Sequence, residues 1–308
     1  MSSPLRSIHV VAGVITDARG RILLNRREGN RDLVGLWEFP GGKREPGESS
    51  EQALARELRE ELGIEAEIGA WLMDVPQLYP DKRLRLEVRQ VTAWKGTPRG
   101  REGQAIMWVD PAKLERYSMP PADLPVVARL RQPARYLALA RVDGEGWLDE
   151  LATRIGADGC QLRLPALPAE SLATVLRALR ARFAEPLQLL VDGDIALAAA
   201  HGIGVHLQAE QLASIQQRPL PAPLAVAASC HDLAGLQRAQ ALGCRFAVLG
   251  PVLGAEALPP ALGWEGFAAL REQVGLPLYA AGGVSADDCT QAWRRGAHGV
   301  AEAAFVTG

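Results

Sequence analysis

The chain has 308 residues, enough for two domains of ordinary size, each with a core of its own. Apolar residues at 48% and charged residues at 23% describe a soluble globular protein, and a net charge of -2 supplies no basic footprint for long nucleic acid. Four cysteines, Cys160, Cys230, Cys244 and Cys289, stand without metal-ligand spacing and read as small buried hydrophobes of a reducing compartment.

The first apolar segment, Ile8 to Ile15, is short and ends at Asp17, so neither a signal peptide nor a membrane span is expected. That points to a cytoplasmic protein with no membrane partner. Ile8 to Ile15 and Ile22 to Leu24 are strand-like runs joined by Thr16 to Gly20, a polar turn that predicts a hairpin. The stretch from Gly42 to Ile64 reads GKREPGESSEQALARELREELGI. Ser49 with Gln52 three residues on is a capping-box pattern, and Gly63 suits a left-handed C-terminal position. A helix is therefore predicted from about Ser50 to Gly63. Leu54, Leu58 and Leu62 would anchor one face to a core, with Glu57, Glu60 and Glu61 on an adjoining arc. Glu57 and Glu61 are like charges at i and i+4, a cost of roughly a few tenths of a kcal/mol that a bound cation would reverse. The bland alternative is a solvated acidic face with ion pairs such as Arg56 to Glu60. Leu84 to Thr92 alternates apolar and polar residues as a strand does, Ile106 to Val109 is a further strand, and Ala122 to Arg131 is a closing helix. A mixed sheet with one functional helix is expected.

Gly42, then five residues, Glu48, then seven residues, then Arg56-Glu57-Leu58-Arg59-Glu60-Glu61-Leu62-Gly63-Ile64 matches every fixed position of the Nudix box. This half of the chain resembles a Nudix hydrolase, a mixed-sheet α/β/α sandwich. The resemblance implies that Glu57, Glu60 and Glu61 ligate a metal or activate water, with the backbone carbonyl of Gly41 as a further ligand. Magnesium suits such oxygen ligands, with manganese as its substitute. Arg56 is expected to orient a carboxylate by bidentate pairing.

Within that superfamily the chain most resembles the MutT branch, which cleaves oxidised guanine nucleotides such as 8-oxo-dGTP. The carrying residues are Arg26-Arg27, Trp37 to Lys43, Glu102-Gly103-Gln104 and Pro120 to Pro125. The resemblance implies nucleotide contacts from Arg27, Asp32, Glu38, Phe39, Pro40, Gly41 and Asp123, with Glu102 as an additional metal-site carboxylate on a loop. The alternatives are a core aromatic for Phe39 and a surface turn carboxylate for Glu102. Asp123 stands where the MutT pattern has asparagine. An ionised aspartate can only accept hydrogen bonds, so it would serve either if burial kept it protonated or if it accepts from guanine-type N–H groups.

From Gln132 the pattern changes, placing a boundary between a domain at 1 to 132 and another at 133 to 308. Eight apolar runs follow, Tyr136 to Ala140, Gly159 to Leu164, Leu187 to Val191, Gly204 to Leu207, Leu224 to Ala228, Phe246 to Leu249, Leu278 to Ala281 and Gly299 to Ala303. Helical stretches such as Ala169 to Phe183, Asp232 to Leu242, Trp264 to Val274 and Ala286 to Arg295 separate them. This is the arithmetic of a (β/α)8 barrel lacking its last helix, with a doubly wound sheet as runner-up. A covering partner, the first domain or a second subunit, would then be needed, and a homo-oligomer is left open.

Cys160 to Arg163, Gly204 to Leu207, Ser229 to His231, Gly250 to Val252 and Ala281 to Val284 resemble the strand ends of thiamin phosphate synthase. The resemblance leaves Arg163, Gly282 and Gly283 as a phosphate site. Departures are many, among them Pro165 in place of a lysine and Leu253 to Ala257 in place of phosphate binders. A degenerate binding or scaffold barrel is expected, with His206 and His231 as hydrogen-bonded barrel residues rather than ligands. Three functions remain. The first is a Mg-dependent diphosphohydrolase that cleans oxidised purine nucleoside triphosphates and so serves DNA repair. The second cleaves thiamin diphosphate or its damaged forms, and the third is a non-catalytic sensor.

Overall fold

The computed structural model describes residues 5 to 28, 33 to 142, 146 to 155, 159 to 183, 187 to 254 and 260 to 304. The chain forms two compact units, one of residues 1 to 131 with 271 to 275 and 293 to 296, the other of the remaining residues from 132.

In the first unit β1 (Arg6–Ile15) runs parallel to β6 (Lys82–Lys95) and antiparallel to β4 (Gly41–Lys43), while β5 (Glu65–Leu78) pairs antiparallel with β6. The result is a mixed four-stranded sheet. β1 is apolar on both faces because both are covered. Val11 and Ile15 pack with Leu54, Leu58 and Leu62 of α1 (Ser50–Leu62), and Ala12 and Val14 pack with Val126 and Val127 of α2 (Leu124–Arg131). Helix, sheet and helix make the expected sandwich.

The predicted hairpin between the first two strands does not form. The Asp17 to Gly20 turn is there, but only one bridge, Thr16 to Ile22, joins its arms. β2 (Ile22–Arg26) instead lies in a separate sheet between β3 (Trp37–Glu38) and β7 (Ile106–Val109). The reason is edge availability. β6 runs along the whole of β1, and β4 with Pro40 takes the other side from Val10 to Gly13, so only the last residues of β1 are left for β2.

The second unit is a closed barrel of eight parallel strands. They are β8 (Arg135–Leu139), β9 (Gln161–Leu164), β10 (Gln188–Asp192), β11 (Gly204–Leu207), β12 (Val226–Cys230), β13 (Phe246–Leu249), β14 (Leu278–Ala281) and β15 (Gly299–Ala304). Pairing of β15 with β8 closes the ring and disposes of the open-sheet alternative. Several elements shift from their predicted places, among them the second strand of the barrel, which starts at Gln161 rather than Gly159. The fifth strand starts at Val226 rather than Leu224, because Leu224 is held in a turn by its N–H bond to the Pro221 carbonyl. The stretch from Ala286 is a 3-10 turn, Ala286–Asp288, before the short helix Cys289–Arg294. Tyr136, Phe246 and Tyr279 fill the barrel interior, and no helix among the described residues is long and apolar enough to cross a membrane.

Candidate active site

The box helix is built as its sequence dictates. The Ser49 hydroxyl accepts from the Gln52 N–H at 3.2 Å and the Gln52 amide oxygen accepts from the Ser49 N–H at 2.8 Å. At the other end Gly63 takes φ 69°, a left-handed angle that lets its N–H turn back to the Arg59 carbonyl at 3.1 Å. Leu54, Leu58 and Leu62 are fully buried, which fixes the rotation of the helix and turns Glu57 and Glu61 toward the loop at Gly41 and Gly42.

Arg56 is the hub of the carboxylates. Its Nε and Nη2 donate to the two oxygens of Glu48 at 2.8 and 2.9 Å, and its Nη1 donates to Glu57 at 2.9 Å. The Arg56 guanidinium is the main reason the Glu48 carboxyl is held down to about 2. Arg56 also donates to the Lys43 carbonyl at 3.0 Å, tying the helix to the preceding loop. Glu48 was visible as a box position, but its part as the anchor of Arg56 was not.

Gly42 lets the loop close on Glu57. A Cβ at Gly42 would lie 2.3 Å from the Glu57 carboxyl carbon, so any larger residue displaces that carboxylate. Glu61 is buried at 7% exposure, and one of its oxygens, Oε2, has no hydrogen-bond partner among the described residues. Burial pushes its carboxyl up to about 8, with the charges of Glu38, Glu57 and Glu102 adding to the shift and a hydrogen bond from the Gly41 backbone opposing it. Four carboxylates from three parts of the chain therefore feel one another. Such an arrangement suits a small hard cation, for which every donor is oxygen and the repulsion is relieved on binding.

The predicted residues do not all gather there. Glu60 stands at the rim, with 57% of its side chain exposed, and among the described residues its ion pair is with Arg56 at 3.4 Å. No three Asp, Glu, His or Cys side chains among the described residues form a closed cage. Asp32 lies outside the described residues. Arg27 pairs with Glu38, and the Pro40 carbonyl accepts from Gly13 N–H at 2.9 Å. The Phe39 ring is a core side chain at 3% exposure, so it is the backbone of Phe39 that faces Asp123.

Asp123 is buried, and its Oδ1 accepts from the Phe39 N–H at 3.4 Å. Burial, helped by the Glu38 charge, pushes its carboxyl up to about 8. Burial thus favours the protonated form, and a protonated carboxyl donates and accepts as an amide does. Tyr79, missed in the sequence, stands in the same environment. Its phenol is pushed up to about 12 by burial and by Asp123.

In the barrel, Arg163 lies 3.9 Å from Asp192, whose Oδ1 accepts from the Gln208 amide at 2.6 Å. Gly282 and Gly283 follow β14, three strands round the ring from β9. His206 is fully buried between the Tyr136 hydroxyl at 2.9 Å and the Ser229 hydroxyl at 2.8 Å, and His231 bonds the Gly250 carbonyl at 2.6 Å.

A capped acidic helix packed on a mixed sheet, with an arginine-ordered carboxylate set, defines a hydrolase of phosphorus-containing anhydrides. The chain belongs to the Nudix family over residues 11 to 129 and, over residues 145 to 304, to the family described as thiamine monophosphate synthase. It is 42% identical over 123 residues to the CTP pyrophosphohydrolase of Escherichia coli, covering 40% of this chain and 90% of that protein. It is 34% identical over 128 residues to the 8-oxo-dGTP diphosphatase of the same organism, covering 42% of this chain and 99% of that protein. With the 8-oxo-dGTP diphosphatase of Haemophilus influenzae the identity is 43% over 124 residues, 40% of this chain and 90% of that protein. A crystal structure of MutT protein from Methanosarcina mazei, 28% identical, aligns over 42% of this chain and 96% of that one with a TM-score of 0.36. Nudix hydrolases act on nucleoside triphosphates and need a divalent cation.

Proposed function

We propose that the first unit hydrolyses nucleoside triphosphates carrying an oxidised purine, 8-oxo-dGTP foremost, to the monophosphate and diphosphate, so cleaning the nucleotide pool and serving DNA repair. Mg²⁺ is the working ion and Mn²⁺ its substitute. The observation that carries the base preference is Asp123, whose burial favours the protonated form. That form offers a donor to the purine O6 and an acceptor to the N7–H that oxidation adds, where guanine itself has only an acceptor. The relatives from Escherichia coli and Haemophilus influenzae that are named for 8-oxo-dGTP support the reading.

The residues divide the work. Glu57, Glu61, Glu102 and the Gly41 backbone would hold the cation, and Glu60, at the rim, would complete its shell or take a proton from water. Bound there, magnesium would neutralise the phosphates and make water more acidic. Arg56 keeps Glu57 aimed through its fork on Glu48. Arg27, paired with Glu38, lies on the nucleotide side, with Asp123 reading the base edge. Pro40 and Asp32, the latter outside the described residues, keep the nucleotide contacts that the MutT resemblance implies.

A second reading is favoured by the same residue. A protonated carboxyl also fits cytosine, donating to N3 and accepting from the amino group, and one relative is named a CTP pyrophosphohydrolase. Thiamin diphosphate rests on the attached barrel alone, where Arg163, Gly282 and Gly283 would form a phosphate site. Turnover of 8-oxo-dGTP, dGTP, CTP, ADP-ribose and thiamin diphosphate side by side separates these readings. Preference for CTP moves the function to pyrimidines, and no turnover of any favours a sensor.

A further inference from the structure

A helix leaves its last carbonyls without intrahelical partners, and something outside must bond them. In α1 the Leu58 and Arg59 carbonyls accept from the Ile64 and Gly63 N–H groups. The last two, those of Glu61 and Leu62, are taken by one loop. Arg99 N–H donates to the Leu62 carbonyl at 3.0 Å, and Arg101 N–H donates to the Glu61 carbonyl at 2.9 Å. The Gln104 side chain adds a second donor to the Glu61 carbonyl, from Nε2 at 3.1 Å. Its other end accepts from the Glu102 N–H at 2.8 Å. Gln104 is buried at 8% exposure, whereas the two residues next to Glu102 and Glu102 itself are exposed. The backbone of Glu102 is thus tied through one buried amide to the backbone of Glu61.

We propose that Gln104 is a positioning residue that holds Glu102 in register with Glu61, so that both carboxylates reach one divalent cation. This rests on the assignment of Glu102 to the metal site made above. The chemistry of the link selects glutamine. It must donate at one end and accept at the other, span two backbone groups, and carry no charge that would compete for the cation. An ionised glutamate has no donor for the Glu61 carbonyl, and asparagine is one methylene too short to reach both.

The residue is tested on the full chain by Mn²⁺ binding, followed by electron paramagnetic resonance, for Gln104→Met, Gln104→Asn, Glu102→Gln and the Gln104→Met/Glu102→Gln double variant. Thermal unfolding is recorded beside each. Gln104→Met and Gln104→Asn are expected to weaken Mn²⁺ binding by about 10-fold, the scale of an outer-shell partner, and the double variant to bind no more weakly than Glu102→Gln. Should Gln104→Met fail to fold, the asparagine variant carries the comparison. Wild-type Mn²⁺ affinity in the Gln104 variants beside weak binding by Glu102→Gln would overturn the proposal, whatever happens to the melting temperature. Additive losses in the double variant would overturn it as well, since Gln104 would then act elsewhere. Wild-type affinity in Glu102→Gln would instead remove Glu102 from the metal site, and this proposal with it.

Discussion

The Arg56 guanidinium grips the Glu48 carboxylate at two points, 2.8 and 2.9 Å, and with its remaining nitrogen reaches Glu57 at 2.9 Å. One planar group thereby fixes a loop residue and aims a helix carboxylate. Lysine offers a point charge and cannot make the fork. Arg56→Lys is therefore expected to lower kcat by about 10- to 100-fold, the range for groups that orient ligands, with little change in melting temperature. Steady-state kinetics with a thermal melt checks this, and a wild-type kcat would remove Arg56 from the ordering of Glu57.

The three helix carboxylates should not be equivalent. Glu57→Gln and Glu61→Gln each remove an anionic oxygen ligand that a bound cation would draw on, Glu61 by giving up its proton as the ion binds, and are expected to lower kcat by about 1000-fold or more at saturating Mg²⁺. Glu60, 57% exposed, is expected to matter less. A loss in Glu60→Gln as deep as in the other two would show that Glu60 swings inward on binding.

Gly42→Ala separates site from fold. The added Cβ would sit 2.3 Å from the end of the Glu57 side chain, which can swing away, so the fold should survive while the carboxylate is displaced. Activity is expected to fall by about 100-fold, on the scale of a small misplacement of a reacting group. Circular dichroism and melting should stay near wild type. Unchanged activity would mean that Glu57 is not held where the chemistry needs it.

Legibility of the chain followed the range of the interactions. The box helix was readable to its caps, because Ser49, Gln52 and Gly63 act within a few residues of one another. The eight strands were readable because each is a buried apolar run. The hairpin at Thr16 was misread because the pairing of β1 depends on β4 and β6, which are remote in sequence. The bridge from Gln104 to Glu61 and the burial of Asp123 beside Phe39 are equally long-range, while the pairing of Glu48 with Arg56 spans only eight residues but depends on how the loop before the helix turns back. Residue type gave their chemistry, but only the fold gives their surroundings.

Asp123 should make stability depend on pH. Its carboxyl lies at about 8 in the folded chain against an ordinary value of 3.8. Between those values the native state holds a proton that the unfolded chain has lost. Stability therefore declines as pH rises through that window, by about 1.4 kcal/mol per pH unit for a group wholly titrated this way. Asp123→Asn lacks the proton, so its advantage over wild type should grow from about pH 4 and level off above about pH 8. Denaturant unfolding at several pH values measures the difference. A constant difference would show that Asp123 is ionised in the native state.

The ratio of kcat/KM for 8-oxo-dGTP to that for dGTP, with Mg²⁺, tests the central claim most directly, measured for wild type and for Asp123→Ala. The account expects wild type to prefer the oxidised base by at least about 10-fold, about 1.4 kcal/mol of discrimination, and Asp123→Ala to lose most of that preference while still releasing diphosphate. Equal rates on the two nucleotides in wild type, or equal losses on both in Asp123→Ala, would contradict it.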